Sequence, residues 1–487
     1  MSKQYANEFL NYVNASPSPY HAVQTSKKLL VAGGFTEISE RQPWSSQIQA
    51  GKKYFLTRNG SSLIAFGVGK KWQPGNGISI VGAHTDSPTF RVKPNSKKSA
   101  SGYHQVGVEV YGGGLWHTWF DRDLSVAGRV YVHDKASGRY LPKLVKIEKP
   151  ILRIPTLAIH LDRTVNTKLE INKETQLYPI LGLIEDELNG KKESSDEGAD
   201  NSKTDANTNS IGKITDRHEP ALLSLIAAEA KVNVEDIQDF ELLLYDTQPS
   251  VIGGLKDEFI FSPRLDNLCS SYTATQGLLE SLSKPDALDN EEGIRMISLF
   301  DHEEVGSASA QGADSNLLVA VITRLASLKL DSNVEPTASS PFETFSKSFL
   351  ISADMAHGVH PNYGSKHEDN HRPKLNKGPT IKINANQRYA TNSPGVLLVQ
   401  NAANLAKIPL QLFVVRNDSP CGSTIGPILA SKLGMRTLDI GNPQLSMHSV
   451  RETCGSKDVG YAVELFREFF NNYVSLEKQI VIEDTEL

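Results

Sequence analysis

Histidines and carboxylates stand just past a series of apolar runs in this 487-residue chain. In ISIVGAHTDSP, His84 and Asp86 close such a run; FSPRLDNL supplies Asp266; RMISLFDHEEVGS supplies Glu303 and Glu304; SFLISADMAH supplies Asp354; TLDIGNPQLSMHSVRE supplies His448 after a short loop. In open α/β sheets functional groups gather beyond the carboxyl ends of strands, which is where these residues would fall. Each alone has a commonplace role: a structural, hydrogen-bonded His84, an Asp266 helix N-cap, Glu303 and Glu304 as solvated first-turn acids, and likewise Asp354. Together, two imidazoles and three or more carboxylates at one end of buried strands would repel unless a cation neutralised them. A mixed nitrogen and oxygen donor set suits zinc, with manganese or cobalt as substitutes, better than magnesium or calcium. Two metals sharing one carboxylate, about 3.5 to 4 Å apart, form a clamp for hydrolysis of amides and phosphate esters. An extra Glu beside a ligand Glu can take the proton from the water such metals hold and pass it to a leaving amine.

The elements that must carry these residues follow from periodicity. Tyr5, Phe9, Leu10 and Val13 recur at near-helical spacing, and SPSPYHAVQTSKKLLVAGGF has a Ser/Pro start, an amphipathic run and a Gly-Gly stop, which predicts a second helix. KYFLTR, SSLIAFGV and GISIVGAH read as strands, the last the most buried. Between about Val106 and Leu161, VGVEV, AGRVYVHD and KLVKIEK alternate without a helical segment, as an all-β module would. From Leu222 strands and helices alternate again: ELLLYD, SYTATQGLLESL, RMISLFD, NLLVAVITRLASL, SFLISAD, PTIKIN, LQLFVVRND and MRTLDIG. That order predicts an α/β fold with a mostly parallel sheet covered by helices. The expected organisation is one α/β domain split into residues 1–99 and 248–487, with a β-rich domain inserted at 100–247. Residues 185–213, nearly free of large apolar side chains, read as a disordered, solvated acidic loop.

Composition narrows the partners. With 39% hydrophobic and 22% charged residues the chain is of globular type, and a formal charge of −5 leaves no basic field for nucleic acid or an anionic membrane. No run approaches the ~20 apolar residues of a membrane span, and the opening MSKQYANEFLNYVN has no secretory h-region. Three cysteines without CxxC spacing fit a reducing cytoplasm. Other patterns read as structural. Pro361, Gly364 and Pro373 break the ladder of His357, His360, His367 and His371. SPCGSTIGP lacks a phosphate-loop Lys and reads as a helix start, Cys421 as a buried structural thiol, and GGGLWHTWF as a bend and an interface.

GAHTDSP, SPRLDNL, DHEEVGS, SADMAHGVHPNY, NHRPKLNKGPTIKINANQRYA, RNDSPCGSTIGP and MHSVRE resemble, in that order, the motifs of the aspartyl aminopeptidases of the M18 metallopeptidase family. The resemblance implies one zinc on His84, Asp266 and Asp354 and a second on Asp266, Glu304 and His448, with Asp266 bridging. It implies Glu303 as general base and acid, Asp86 as the group orienting His84, and a zinc-peptidase α/β domain with an inserted, barrel-like dimerisation domain. It implies peptide substrates with an acidic N-terminus and self-association to dimers and a tetrahedral dodecamer. It gives substrate contacts to His357, Lys382 and Tyr389, with Lys377 the weaker alternative to Lys382, and places His160 at a neighbouring subunit's active site. Two rival readings stand beside it: a leucine-preferring M18 enzyme, which would carry an amphipathic propeptide, and a non-enzymatic scaffold or transport cargo, which would have no need of Glu303 and an intact ligand set.

Overall fold

The computed structural model describes residues 2–184 and 211–482, so most of the acidic loop expected at 185–213 lies outside the described residues. The chain divides into two compact units, Met1–Ser87 with Pro249–Leu487, and Pro88–Gln248.

The first unit is built on a nine-stranded sheet whose order is Thr36–Glu37, Lys53–Arg58, Ser62–Val68, Ile294–Phe300, Ile78–His84, Phe349–Ala353, Arg436–Gly441, Thr380–Ile383 and Gln411–Val414. The four central strands, from Ile294–Phe300 to Arg436–Gly441, are mutually parallel, while Ser62–Val68 and Thr380–Ile383 join them antiparallel on either side. These central strands are buried along their length, which is why they read as continuous apolar runs. Alternate residues enter opposite layers: Leu63, Ala65, Val81 and Ala83 pack with the helices Pro19–Ala32, Leu265–Ser281 and Asp458–Glu477. Ile64, Phe66, Ile78 and Ile80 pack on the other face with Leu317–Ala326 and Ile425–Leu433. The two N-terminal helices form as the sequence predicts, Ser2–Asn14 and Pro19–Ala32, the second capped by Ser18 and stopped at Gly33. A second, five-stranded sheet of two- to four-residue strands, Val251–Gly253, Phe259–Ser262, Glu452–Gly455, Pro443–Leu445 and Ala356–His357, has no counterpart in the sequence reading.

The second unit holds an antiparallel six-stranded sheet ordered Arg139–Lys146, Leu124–Asp134, Ile237–Asp246, Thr89–Ala100, Tyr103–Tyr111 and Ile180–Leu183. Its entering and leaving strands are neighbours, with Arg91 opposite Leu243, so the chain enters and exits side by side. The outer strand Ile180–Leu183 is bridged in turn to Arg153, and the adjoining Leu152 to Leu124, so the segment 152–153 links one edge of the sheet back to the strand Leu124–Asp134. The unit also contains the helix Pro220–Ala230, which buries Leu222, Leu223 and Ile226. Trp116 and Trp119 of the GGGLWHTWF run pack against Phe90, centroids 4.8 and 5.1 Å away, tilted and edge-on, inside this unit, where their apolar surface is buried.

Candidate metal centre

Three neighbouring parallel strands deliver ligand-type residues to one edge. His84 ends its strand opposite Phe300, whose strand runs on into the turn Glu303–Val305, and Asp354 follows Phe349–Ala353 on the other side. Asp266 enters from the first turn of Leu265–Ser281, where its backbone is still non-helical. His448 lies between the strands Pro443–Leu445 and Glu452–Gly455, in left-handed backbone conformation at φ 67°. Gly441 lets the strands approach: a Cβ there would come within 1.7 Å of the Asp354 carbonyl oxygen, so no side chain fits.

The side chains converge as two trios. His84 Nε2 is 3.3 Å from Asp266 Oδ1 and 4.0 Å from Asp354, while His448 Nε2 is 3.5 Å from Asp266 Oδ2 and 3.4 Å from Glu304. Asp266 thus turns one oxygen to each trio, and within each trio the donor atoms lie within 4.8 Å of one another. Glu303 stands beside them, 3.9 Å from His84 Nε2, and forms a third such group with His84 and Glu304. The far nitrogen of His84 faces Asp86, 3.3 Å from its carboxylate and 3.1 Å from its carbonyl oxygen. The same Asp86 carboxylate accepts the backbone N–H groups of Glu303 and Glu304 at 3.1 and 3.0 Å, tying the first ligand to the turn that carries two more acids.

The charges demand a cation. Asp266 Oδ1 and Glu304 Oε1 are buried without a hydrogen-bond partner, a costly state for a carboxylate. Burial pushes Glu303 up to about 8 against the pull of His84. Burial and then Asp266 raise Glu304 well above the usual range, and burial lifts Asp354 to about 6 against the pull of Lys382. Burial acts on Asp266 too, yet the imidazoles of His448 and His84 beside it hold it below the ordinary carboxylate range. Buried imidazole and carboxylate donors at this spacing fit zinc.

A cavity of about 270 Å³ opens beside the trios, lined by Glu303, Asp354, His357, Lys382, Tyr389 and His448 among others. Lys382 is only 3% exposed. Its Nζ donates to the Met355 carbonyl at 3.1 Å, stands 3.7 Å from Asp354 and lies 5.2 Å over the Tyr389 ring. Its neighbour Ile381 packs in the core. Lys377 is exposed and does not line the cavity. His160 sits in an exposed turn of the inserted unit. His360, His367 and His371 make loop contacts: His360 N–H donates to His367 Nε2, and His371 pairs with Glu368. Thr424 caps the helix Ile425–Leu433 as expected, whereas Cys421 is half-buried rather than enclosed.

Two carboxylates that sequence reasoning missed hold the site in shape. Glu452, 2% exposed, accepts the Asp266 N–H at 3.1 Å, the His448 N–H at 2.8 Å and the Gln444 side-chain amide at 3.2 Å. Asp439, fully buried, accepts the Ala390 N–H at 2.6 Å and the Thr424 hydroxyl at 2.5 Å, fixing the two loops that bring Tyr389 and Thr424 to the cavity. Glu452 follows His448 by four residues in a quoted motif, which was the one available signal; Asp439 reads simply as a polar residue in an apolar strand.

A helix-covered sheet presenting imidazoles and carboxylates at the ends of its parallel strands defines a metal-dependent hydrolase. The family model described as aminopeptidase I zinc metalloprotease (M18) matches residues 12–470. An Aspergillus oryzae protein named aspartyl aminopeptidase is 57% identical, over 99% of this chain and 98% of its own length. The cryo-EM structure of the Ape4 and Nbr1 complex superposes with a TM-score of 0.91 at 52% identity, covering 99% of this chain and 88% of the other. The Saccharomyces cerevisiae mApe1 dodecamer gives 0.83 at 32% identity, covering 100% and 99%. The chain belongs to the M18 family of zinc metallopeptidases and is an enzyme of the aspartyl aminopeptidase type.

Proposed function

We propose that the protein holds two zinc ions per subunit and removes an acidic residue from the N-terminus of peptides. The observation that carries the reading is the division of Asp266 between two trios, His84 and Asp354 on one side and Glu304 and His448 on the other. Zinc would supply Lewis-acid polarisation of the scissile carbonyl and lower the pKa of water. Glu303, beside the trios and facing the cavity, takes the proton of the attacking water and returns it to the leaving amine. Asp86 fixes the ring of His84 and the position of Glu303 through its backbone. The buried Lys382, with Tyr389 beneath it, receives the carboxylate of the substrate's first side chain, and His357 lines the same wall. A buried carboxylate without such a partner would be prohibitively costly.

The inserted unit serves self-association, to dimers and then a dodecamer; one related structure is a dodecamer. His160, exposed in that unit, acts at a neighbouring subunit's site. Three cysteines without a disulfide suit the cytoplasm, and no helix among the described residues is long and apolar enough to cross a membrane.

The test is a rate profile over Asp-, Glu-, Ala- and Leu-initiated peptides, before and after chelation and zinc return, with zinc counted per chain. Acidic peptides should lead by at least about tenfold, the increment of one modest charge contact, and activity should return with two zinc ions. Leucyl preference, or full activity at one zinc, would overturn it.

A further inference from the structure

A second cavity, of about 300 Å³, adjoins the first and shares His357 and Met447 with it. Ligand pockets span roughly 300–1,000 Å³, so the zinc-side cavity has room for a terminal residue and little more. The two cavities meet at His357 and Met447, where the rest of a peptide can continue. The second cavity is floored by Phe413, Val414 and Leu445 and rimmed by Lys366 and Arg416. Arg416 is already held in a two-pronged pair by Asp418, at 2.8 and 2.6 Å. The lining acid, Glu368, is engaged with His371 and the Asn370 N–H. Lys366 is different: among the described residues it makes no ion pair within 4 Å, its charge reaching Asp418 only from farther away, and it stands exposed at the rim of a concave surface.

We propose that this second cavity receives the part of the peptide beyond the scissile bond, and that Lys366 selects a carboxylate there. That carboxylate is an acidic side chain at the second position or the free C-terminus of a short peptide. The inference rests on the aminopeptidase reading and extends it from the first residue of the substrate to the second. An apolar floor suits the backbone and Cβ groups of an extended segment, and the exposed ammonium at the rim suits a charge kept partly in water. Selection by an exposed charge is modest. A pair of this kind is worth up to about fivefold in rate, the equivalent of about 1 kcal/mol at room temperature.

The experiment compares kcat/KM for Asp-Ala with Asp-Ala-amide, and for Asp-Glu-amide with Asp-Gln-amide, in the zinc-loaded enzyme. The first peptide of each pair should be favoured by about fivefold at low salt. The ratio should fall to about one in Lys366→Met and below one in Lys366→Glu. A wild-type ratio of one, or a ratio unmoved by both variants even where overall rates drop, would overturn the assignment. If aspartyl peptides are not cleaved while leucyl ones are, the acidic reading of the first cavity fails instead. Leu-Ala against Leu-Ala-amide then reads the second cavity on its own, with the same expected ratios.

Discussion

Replacing Glu452 should loosen the zinc site without touching a ligand. Its carboxylate gathers three donors, two of them the backbone N–H groups of Asp266 and His448, residues that meet in space across a long stretch of chain. In Glu452→Ala these two N–H groups and the Gln444 amide lose their acceptor inside the protein. At about 1–3 kcal/mol for each buried unsatisfied group, the loss would be several kcal/mol were nothing to move. Relaxation or an entering water reduces it, so a stability loss of about 2–4 kcal/mol is expected. Zinc affinity should fall by about 10–100-fold, as for removal of other groups that orient metal ligands. Glu452→Gln should cost less. Its remaining oxygen, in the place of Oε1, can keep both the His448 N–H and the Gln444 amide, so that only the Asp266 N–H, facing the new NH2, loses its acceptor. Competition with a calibrated chelator measures affinity, and denaturant unfolding of the zinc-free protein separates stability from it. Zinc affinity within about twofold of wild type in a folded Glu452→Ala protein, against the 10–100-fold expected, would refute the reasoning.

Three further outcomes are expected. Glu303→Gln should keep the fold and bind zinc while losing about 10²–10⁴-fold in turnover, with near wild-type rates in the metallated variant counting against Glu303 as base. Lys382→Met should lower kcat/KM for aspartyl peptides more than for leucyl ones, by about 2–5 kcal/mol; neutral substrates also lose something, because Asp354 and the Met355 carbonyl lose a partner. In the inserted unit, burial and then Arg217 lower His218 to about 4, and its ring stacks on Phe240. The folded state therefore keeps His218 neutral where the unfolded chain takes up a proton, so its stability is whole above the ordinary 6.5 and drains as pH falls toward 4. The loss is at most about 3 kcal/mol, and His218→Gln should flatten the stability profile in that window; an unchanged slope would show that other groups set it.

What the sequence made legible is what local chemistry encodes. A parallel strand buried on both faces reads as an apolar run, and the polar residues at or just past its end are placed at the sheet edge by the fold, which is why His84, Glu303, Glu304 and Asp354 could be named together. The five-stranded sheet escaped because strands of two to four residues show no period, and its pairs, such as Phe261 with Thr453, join distant segments. Glu452 and Asp439 escaped for the same reason: their partners are backbone groups brought by other segments. Lys382 looks like any strand lysine until the burial of both sheet faces is known. The helix Pro220–Ala230 was hidden by the strands around it, although Leu222, Leu223, Ile226 and Ala230 fall on one face.

The residues of the two trios are spread from position 84 to position 448. Translation at about 5–20 residues per second puts on the order of half a minute between the appearance of His84 and that of His448. Throughout that interval neither the full second trio nor the Glu452 brace exists, and Asp266 can share its carboxylate with one imidazole only. A nascent chain shorter than 448 residues therefore lacks the second trio. The position of one histidine thus sets the point in synthesis at which the paired trios can form.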